Sequence, residues 1–199
     1  GKVQRQTALL EEASQWYTRY FDHFSSFARQ DKVYSAYAEL LMSMGRPIDA
    51  LAQYEKAAYD GDILLDKEAA YATIDITSQL SKRFPDQPIW LDKHLRYSAQ
   101  SAKVYGGETR YSTVGIHAIE LAYASGRYEA VIDLSTTLSE QLTSLDRERA
   151  DYLMAMALIK QQQFESAEQR LAELYKKSSS TERRRDYQEA YAVAIYQQA

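Results

Sequence analysis

Residues 33–57 read VYSAYAELLMSMGRPIDALAQYEKA. Apolar and small side chains recur at helical spacing on both sides of Gly45, which predicts two amphipathic helices joined by a tight turn. Such a turn needs a residue that tolerates a positive φ, and glycine does so without steric cost. A small residue in the second helix, Ala50, would then let the two helices approach closely.

The same pattern occurs twice more along the chain. Residues 114–138 read VGIHAIELAYASGRYEAVIDLSTTL, and residues 151–174 read DYLMAMALIKQQQFESAEQRLAEL. Gly126 stands at the turn of the second segment, whereas Gln162 replaces the glycine in the third. Repetition of a helix–turn–helix unit predicts a fold in which successive units stack on one another.

These segments resemble tetratricopeptide repeats. In the first segment the small, turn and aromatic positions of that motif are matched by Ala38, Gly45, Ala50, Tyr54 and Ala57. In the third they are matched by Ala155, Ala167, Leu171 and Leu174. The second segment keeps Gly126 and Tyr128 but has Ile119 and Val131 where small residues are expected. The resemblance implies an all-α fold of the α-α superhelix class, a solenoid. The helical stretches of the sequence predict nine or ten helices in antiparallel succession.

Further helices are predicted outside the repeats, which cover about 33–60, 109–141 and 148–176. An irregular helix pair, 66–83 and 88–104, is divided by RFPDQP, because Pro85 stops one helix and Pro88 suits the start of the next. The remaining predicted helices outside the repeats are 3–20 and 182–199, and a helix at 109–124 begins the second repeat. We interpret 1–199 as one solenoid segment of a longer chain, because neither end has the features of a natural terminus.

A second resemblance concerns the order of short phrases along the chain. It runs YTRYFD, YEKAAYD, EAAYATI, RFPDQP, AEQRLAELY and AIYQQA. This order is similar to that in large tetratricopeptide-repeat proteins of the Gram-negative cell envelope. The similarity implies a periplasmic or outer-membrane-associated scaffold and identifies no site.

Composition supports a helical domain and limits the function. Only 3 prolines and 7 glycines occur among 199 residues, and no stretch alternates with period two, so we expect no sheet at all. The net charge of −4 argues against a general nucleic-acid binder, and no apolar run is long enough to span a membrane. The absence of cysteine is compatible with the cytoplasm as well as with an oxidising compartment.

The sequence predicts no catalytic residue, no metal site and no cofactor. His117 and Glu120 are three positions apart on a predicted helix, but a di-metal bundle needs two such pairs with Glu preceding His. His23 and His94 have no second candidate ligand at a recognisable spacing. No nucleophile elbow, phosphate-binding loop or dinucleotide glycine motif is present. We therefore expect a protein that binds other proteins rather than an enzyme.

The resemblance implies a concave groove lined by the first helix of each repeat. Carried over to this chain, that face consists of Ser35, Glu39, Met42, Ile116, Glu120, Tyr123, Tyr152, Met156 and Ile159. Aromatic and methionine side chains are favoured at the centres of interfaces, but they are also what packs one repeat on the next. Glu39 and Glu120 stand where carboxylate-binding repeats carry Asn, so a C-terminal acidic peptide is not the expected ligand of this groove.

Two alternatives remain open from the sequence. The solenoid could self-assemble by stacking on further repeats. A basic patch could instead bind an acidic ligand, since three cations in a first helical turn oppose the helix dipole. This patch consists of Lys176, Lys177, Arg183, Arg184 and Arg185.

Overall fold

The computed structural model describes residues 2–24, 30–61 and 63–197. Helices account for 81% of this described part. In chain order they are α1 (Lys2–His23), α2 (Asp31–Ser43), α3 (Pro47–Ala58), α4 (Lys67–Arg83), α5 (Pro88–Tyr105), α6 (Thr109–Ala124), α7 (Tyr128–Thr137), α8 (Ser144–Lys160), α9 (Phe164–Lys177) and α10 (Thr181–Tyr196). The predicted all-α fold class is confirmed, and consecutive helices pack on one another as in helical-repeat proteins.

The expectation of no sheet was wrong in one place. Two-residue strands β1 (Tyr59–Asp60) and β2 (Ile63–Leu64) pair antiparallel between α3 and α4. Gly61 takes a positive φ of 59° in the connection between them. A ladder this short shows no alternation of apolar and polar residues, so the sequence pattern could not reveal it.

By its contacts the chain divides into two compact units, Gly1–Tyr97 and Ser98–Ala199, with the boundary inside α5. In the first unit α1 packs on α2, α2 on α3, and α3 on α4. The small residues Ala38 and Ala50 are fully buried where α2 meets α3, which is the close approach that the motif predicts. Whether the two units form the single predicted solenoid segment stays a prediction.

In the second unit each helix from α6 to α10 packs on the next one. In addition α6 contacts α8, and α8 contacts α10. The first helices of successive repeats therefore lie side by side in this unit, with α7 and α9 as the second helices. Ile119 and Val131, at the predicted small positions, are fully buried, so larger side chains fill the space that alanines occupy in the first repeat.

The three predicted turns have the same backbone geometry. φ is positive at Gly45, Gly126 and Gln162, with values of 71°, 71° and 62°. In each turn the next residue's N–H donates to a carbonyl five positions back, as Arg46 does to Leu41 at 2.9 Å. This pattern is the Schellman motif, which satisfies the last carbonyls of the first helix.

Candidate binding surfaces

The candidate groove residues of the first repeat lie on α2 and differ in accessibility. Glu39 is exposed, and Met42 is 37% exposed. The Ser35 hydroxyl is buried and has no hydrogen-bond partner among the described residues. Burial, followed by the charge of Glu39, raises the pKa of Tyr54 on α3. In the first unit, then, Glu39 and Met42 are the candidates that a partner can reach.

On α6 the three candidates have three different environments. Ile116 is 7% exposed and belongs to the core, so a partner can barely contact it. Glu120 forms an ion pair with Arg149 of α8. The Tyr123 ring is half-buried and packs edge-on against Tyr128, with 5.7 Å between ring centroids.

The candidates on α8 pack partly against α9 and α10. Tyr152, Met156 and Ile159 all border a buried cluster, which consists of Ala155, Leu171, Leu174, Tyr187 and Ala190. The ring of Tyr152 lies 5.2 Å from that of Tyr187, measured between centroids. Each of the three side chains is half-buried, so each contributes to packing between repeats and keeps a part of its surface accessible.

Tyr152 lies at the meeting point of three helices. Burial is the main cause that raises its pKa, followed by the nearby charges of Asp186, Tyr123 and Glu189, while Arg149 acts in the opposite direction. These groups belong to α6, α8 and α10, and the sequence places them far apart. A partner that contacted Tyr152 would therefore meet side chains from all three helices.

The hydroxyls of Tyr123 and Tyr152 differ from those of Tyr187 and Tyr191 in the same unit. Neither donates or accepts a hydrogen bond within the described part of the chain. By contrast, the Tyr187 hydroxyl donates to Glu148 at 2.9 Å, and that of Tyr191 donates to Glu168 at 3.1 Å. The two groove tyrosines thus keep their polar ends free to bind another molecule.

Part of the positive charge of the basic patch is balanced by carboxylates. Arg183 donates to Glu148 of α8 at 2.7 Å, and this carboxylate also accepts from Tyr187. Glu148 is 35 residues away in the sequence, so no local pattern could have predicted the pair. Arg183 thus joins α10 to α8, and Glu148 balances its charge.

Two further cations of the patch have partners on their own helices. Lys177 pairs with Glu173 at 3.2 Å, and Arg185 pairs with Glu189 at 3.0 Å. All four side chains are highly exposed, and solvent screening makes ion pairs of this kind weak. Lys176 and Arg184 are left without a carboxylate partner among the described residues.

His94 and His117 have different environments. His94 is buried on α5, where Nδ1 lies 3.1 Å from the Ile74 carbonyl oxygen. Nδ1 of His117 is 3.9 Å from a Glu120 oxygen. Across residues 2–24, 30–61 and 63–197, no three His, Cys, Asp or Glu side chains cluster as metal ligands would. Within the same ranges no helix combines the length and apolarity that crossing a bilayer requires.

Comparison with known proteins adds no assignment. Neither the profiles of known protein families nor the curated protein sequences give a match to this chain.

Proposed function

We propose that this chain is a non-catalytic, tetratricopeptide-like scaffold that holds a partner protein segment. The partner segment binds across α6, α8 and α10 of the second unit, on a tyrosine surface formed by Tyr123 and Tyr152 with Glu120, Arg149 and Asp186 around them. The order of phrases that resembles envelope scaffolds supports a periplasmic or outer-membrane-associated location for this activity.

The observation that carries the proposal is the state of the two tyrosines. Their rings are half-buried and held by neighbours, so little side-chain entropy remains to be lost when a partner binds. Their hydroxyls make no hydrogen bond within the described residues. A rigid aromatic ring with a free polar end is the side chain that interface centres favour.

The charged groups around the tyrosines give this surface its polarity. Glu120 and Arg149 neutralise each other, and Asp186 is exposed without an ion pair to any described residue. Glu189, also near Tyr152, is paired with Arg185. The surface therefore has one free carboxylate beside two tyrosines, which favours a partner segment that contributes hydrogen-bond donors and a positive charge.

Affinity capture from cell-envelope extract tests the proposal. The wild-type chain is compared with the double variant Tyr123→Ser and Tyr152→Ser, and captured proteins are quantified by mass spectrometry. Trp16→Ser is the matched control, because Trp16 is an aromatic residue that is 61% exposed on α1, in the first unit. We expect a protein that the wild type and the control retain and the double variant loses. Equal retention by all three folded proteins would exclude the tyrosine surface.

Self-association is supported by a different observation. Val193, Ile195 and Tyr196 are 48%, 42% and 79% exposed, and together they leave apolar surface uncovered on the last turns of α10. Exposed apolar patches of this kind are common at contacts between proteins. Light scattering over a range of concentrations separates the two functions. Self-assembly is supported if the wild type forms a dimer and the double variant Val193→Ser with Tyr196→Ser is a monomer. It is excluded if the wild type is a monomer at every concentration.

A further inference from the structure

A groove lies between α9 and α10, separate from the tyrosine surface. Its volume is about 330 Å³, and its lining consists of Ala172, Tyr175, Lys176, Gln188 and Tyr191. Tyr175 is 44% exposed, which leaves much of a bulky aromatic residue open to solvent. The body of the groove is thus aromatic and aliphatic, with an amide and a single cation among its lining side chains.

The cation end of the groove is strengthened by Arg184. Arg184 is not a lining residue, but its Nε donates to the Ser178 carbonyl oxygen at 2.7 Å, which ties the guanidinium to the residue that follows α9, two positions after Lys176 in the chain. Arg184 also precedes Gln188 by one helical turn on α10, so both lie along the same side of that helix. One guanidinium nitrogen is used in this contact, and the others remain able to donate.

Lys176 and Arg184 are also the two cations of the basic patch that have no carboxylate partner in the described part of the chain. Arg183, Lys177 and Arg185 are each neutralised by a glutamate, as described above. Local positive charge is therefore concentrated where the aromatic groove ends. A side-chain set that combines an apolar trough with a cationic end fits a ligand that combines an apolar group with an anion.

We propose that the α9–α10 groove binds a protein segment in which an aromatic or bulky aliphatic side chain stands next to an acidic one. The apolar side chain lies against Tyr175 and Tyr191, and the carboxylate pairs with Lys176 and Arg184. A polyanion such as polyphosphate fits this surface less well, because three of the five basic side chains are already paired and the groove body offers no further cation. This inference does not depend on the tyrosine surface.

Three short synthetic peptides test the chemistry of the groove. One carries Phe between two Glu residues, the second carries Phe between two Gln residues, and the third carries Ala between two Glu residues. Each is titrated into the isotope-labelled full chain, and backbone amide shifts are followed by NMR. We expect only the peptide with both Phe and Glu to shift the amides of Tyr175, Lys176 and Gln188 in a saturable manner.

A matched pair of variants tests the two cations. Lys176→Gln with Arg184→Gln removes the unpaired charges, whereas Lys177→Gln with Arg185→Gln removes the same net charge from neighbouring, paired positions. We expect the first variant to weaken peptide binding by about fivefold, the factor that about 1 kcal/mol of lost ion pairing produces, and the second to leave it within about twofold. If the first variant proves unstable, Lys176→Gln alone takes its place. It leaves the Arg184 contact to Ser178 intact and should also weaken peptide binding.

Several results would overturn the proposal. They are the absence of saturable shifts with any peptide, equal shifts with the Gln and Glu peptides, or equal losses in the two charge variants. If polyphosphate shifts the same amides and none of the peptides does so, the groove binds a polyanion and not a protein segment. Since Tyr123 and Tyr152 are untouched in these experiments, failure here and failure of the tyrosine surface are distinguishable.

Discussion

Gln162 adopts the same left-handed backbone conformation as Gly45, with φ of 62° against 71°. Both residues occupy the turn between the two helices of a repeat, and both turns close with the same hydrogen bonds. A left-handed conformation costs a non-glycine residue about 1–2 kcal/mol relative to the right-handed one. The third repeat therefore keeps the geometry of the turn at the expense of local strain.

This relationship predicts opposite effects of substitution at the two turns. Gln162→Gly should raise the free energy of unfolding by about 1 kcal/mol, because glycine adopts a positive φ without strain. Gly45→Val should lower it by about 1–3 kcal/mol, although a Cβ at Gly45 would meet no atom within 4 Å, so the loss is conformational and not steric. Gln162→Val should be milder, since a side chain already occupies that turn. Urea unfolding of the three variants checks the signs, and equal losses for the two valine variants would contradict the repeat alignment.

The close approach of α2 and α3 predicts that Ala38 does not tolerate a larger side chain. Ala38 is fully buried beside Leu41 and Ala50, so Ala38→Leu should lower the free energy of unfolding by about 1–3 kcal/mol through overpacking. Ala52→Leu on the exposed side of α3 is the control and should change it by no more than about 0.5 kcal/mol. Thermal unfolding followed by circular dichroism measures both. A similar melting temperature for the two variants would show that the helices are not tightly packed there.

The pKa of Tyr187 makes the free energy of unfolding depend on pH in the alkaline range. Burial, followed by its hydrogen bond to Glu148, raises the pKa of Tyr187 above its ordinary value of 10.0. The unfolded chain therefore loses the Tyr187 proton at a lower pH than the folded chain does. The stabilisation that protonated Tyr187 gives the folded state is complete below pH 10 and is lost as pH rises.

The variant Tyr187→Phe isolates that contribution. Below pH 10 it should be less stable than the wild type by about 1–2 kcal/mol, because it lacks the hydrogen bond and leaves Glu148 with one donor fewer. Above pH 10 the wild type should lose up to about 1.4 kcal/mol per pH unit more than the variant does, so the two stabilities converge. Denaturant midpoints between pH 8 and 11.5 measure this. A constant difference over the whole range would mean that the Tyr187 proton is not linked to folding.

Much of the fold could be predicted because local signals mark its helices. Pro88 places the start of α5 at the predicted residue, and the helix predicted at 66–83 is found at Lys67–Arg83. The first helix is longer than predicted, ending at His23 and not at 20, since no glycine or proline marks its end. The last helix, predicted at 182–199, is found at Thr181–Tyr196, and positions 198–199 lie outside the described residues.

The candidate surfaces were less predictable, because they depend on how one helix is placed against another. The helical pattern identified Tyr123 and Tyr152, but it could not indicate that Asp186 of α10 lies near Tyr152. In the same way, the run Arg183–Arg185 is a basic patch in the sequence, and only the packing of α10 on α8 pairs Arg183 with Glu148. Contacts between residues about 35 positions apart leave no trace in a window of helical length.

The central claim is that the free hydroxyls of Tyr123 and Tyr152 bind a partner. It is tested most directly by Tyr123→Phe with Tyr152→Phe, which keeps both rings and their packing and removes only the two hydroxyls. The dissociation constant for the protein captured by the wild type is measured by calorimetry, with Tyr20→Phe, at a half-buried tyrosine of α1, as the control. We predict that the double variant melts like the wild type and binds about tenfold more weakly, as the loss of two hydrogen bonds of about 0.5–1.5 kcal/mol each requires, while the control binds normally. An unchanged dissociation constant in the folded double variant would contradict the account.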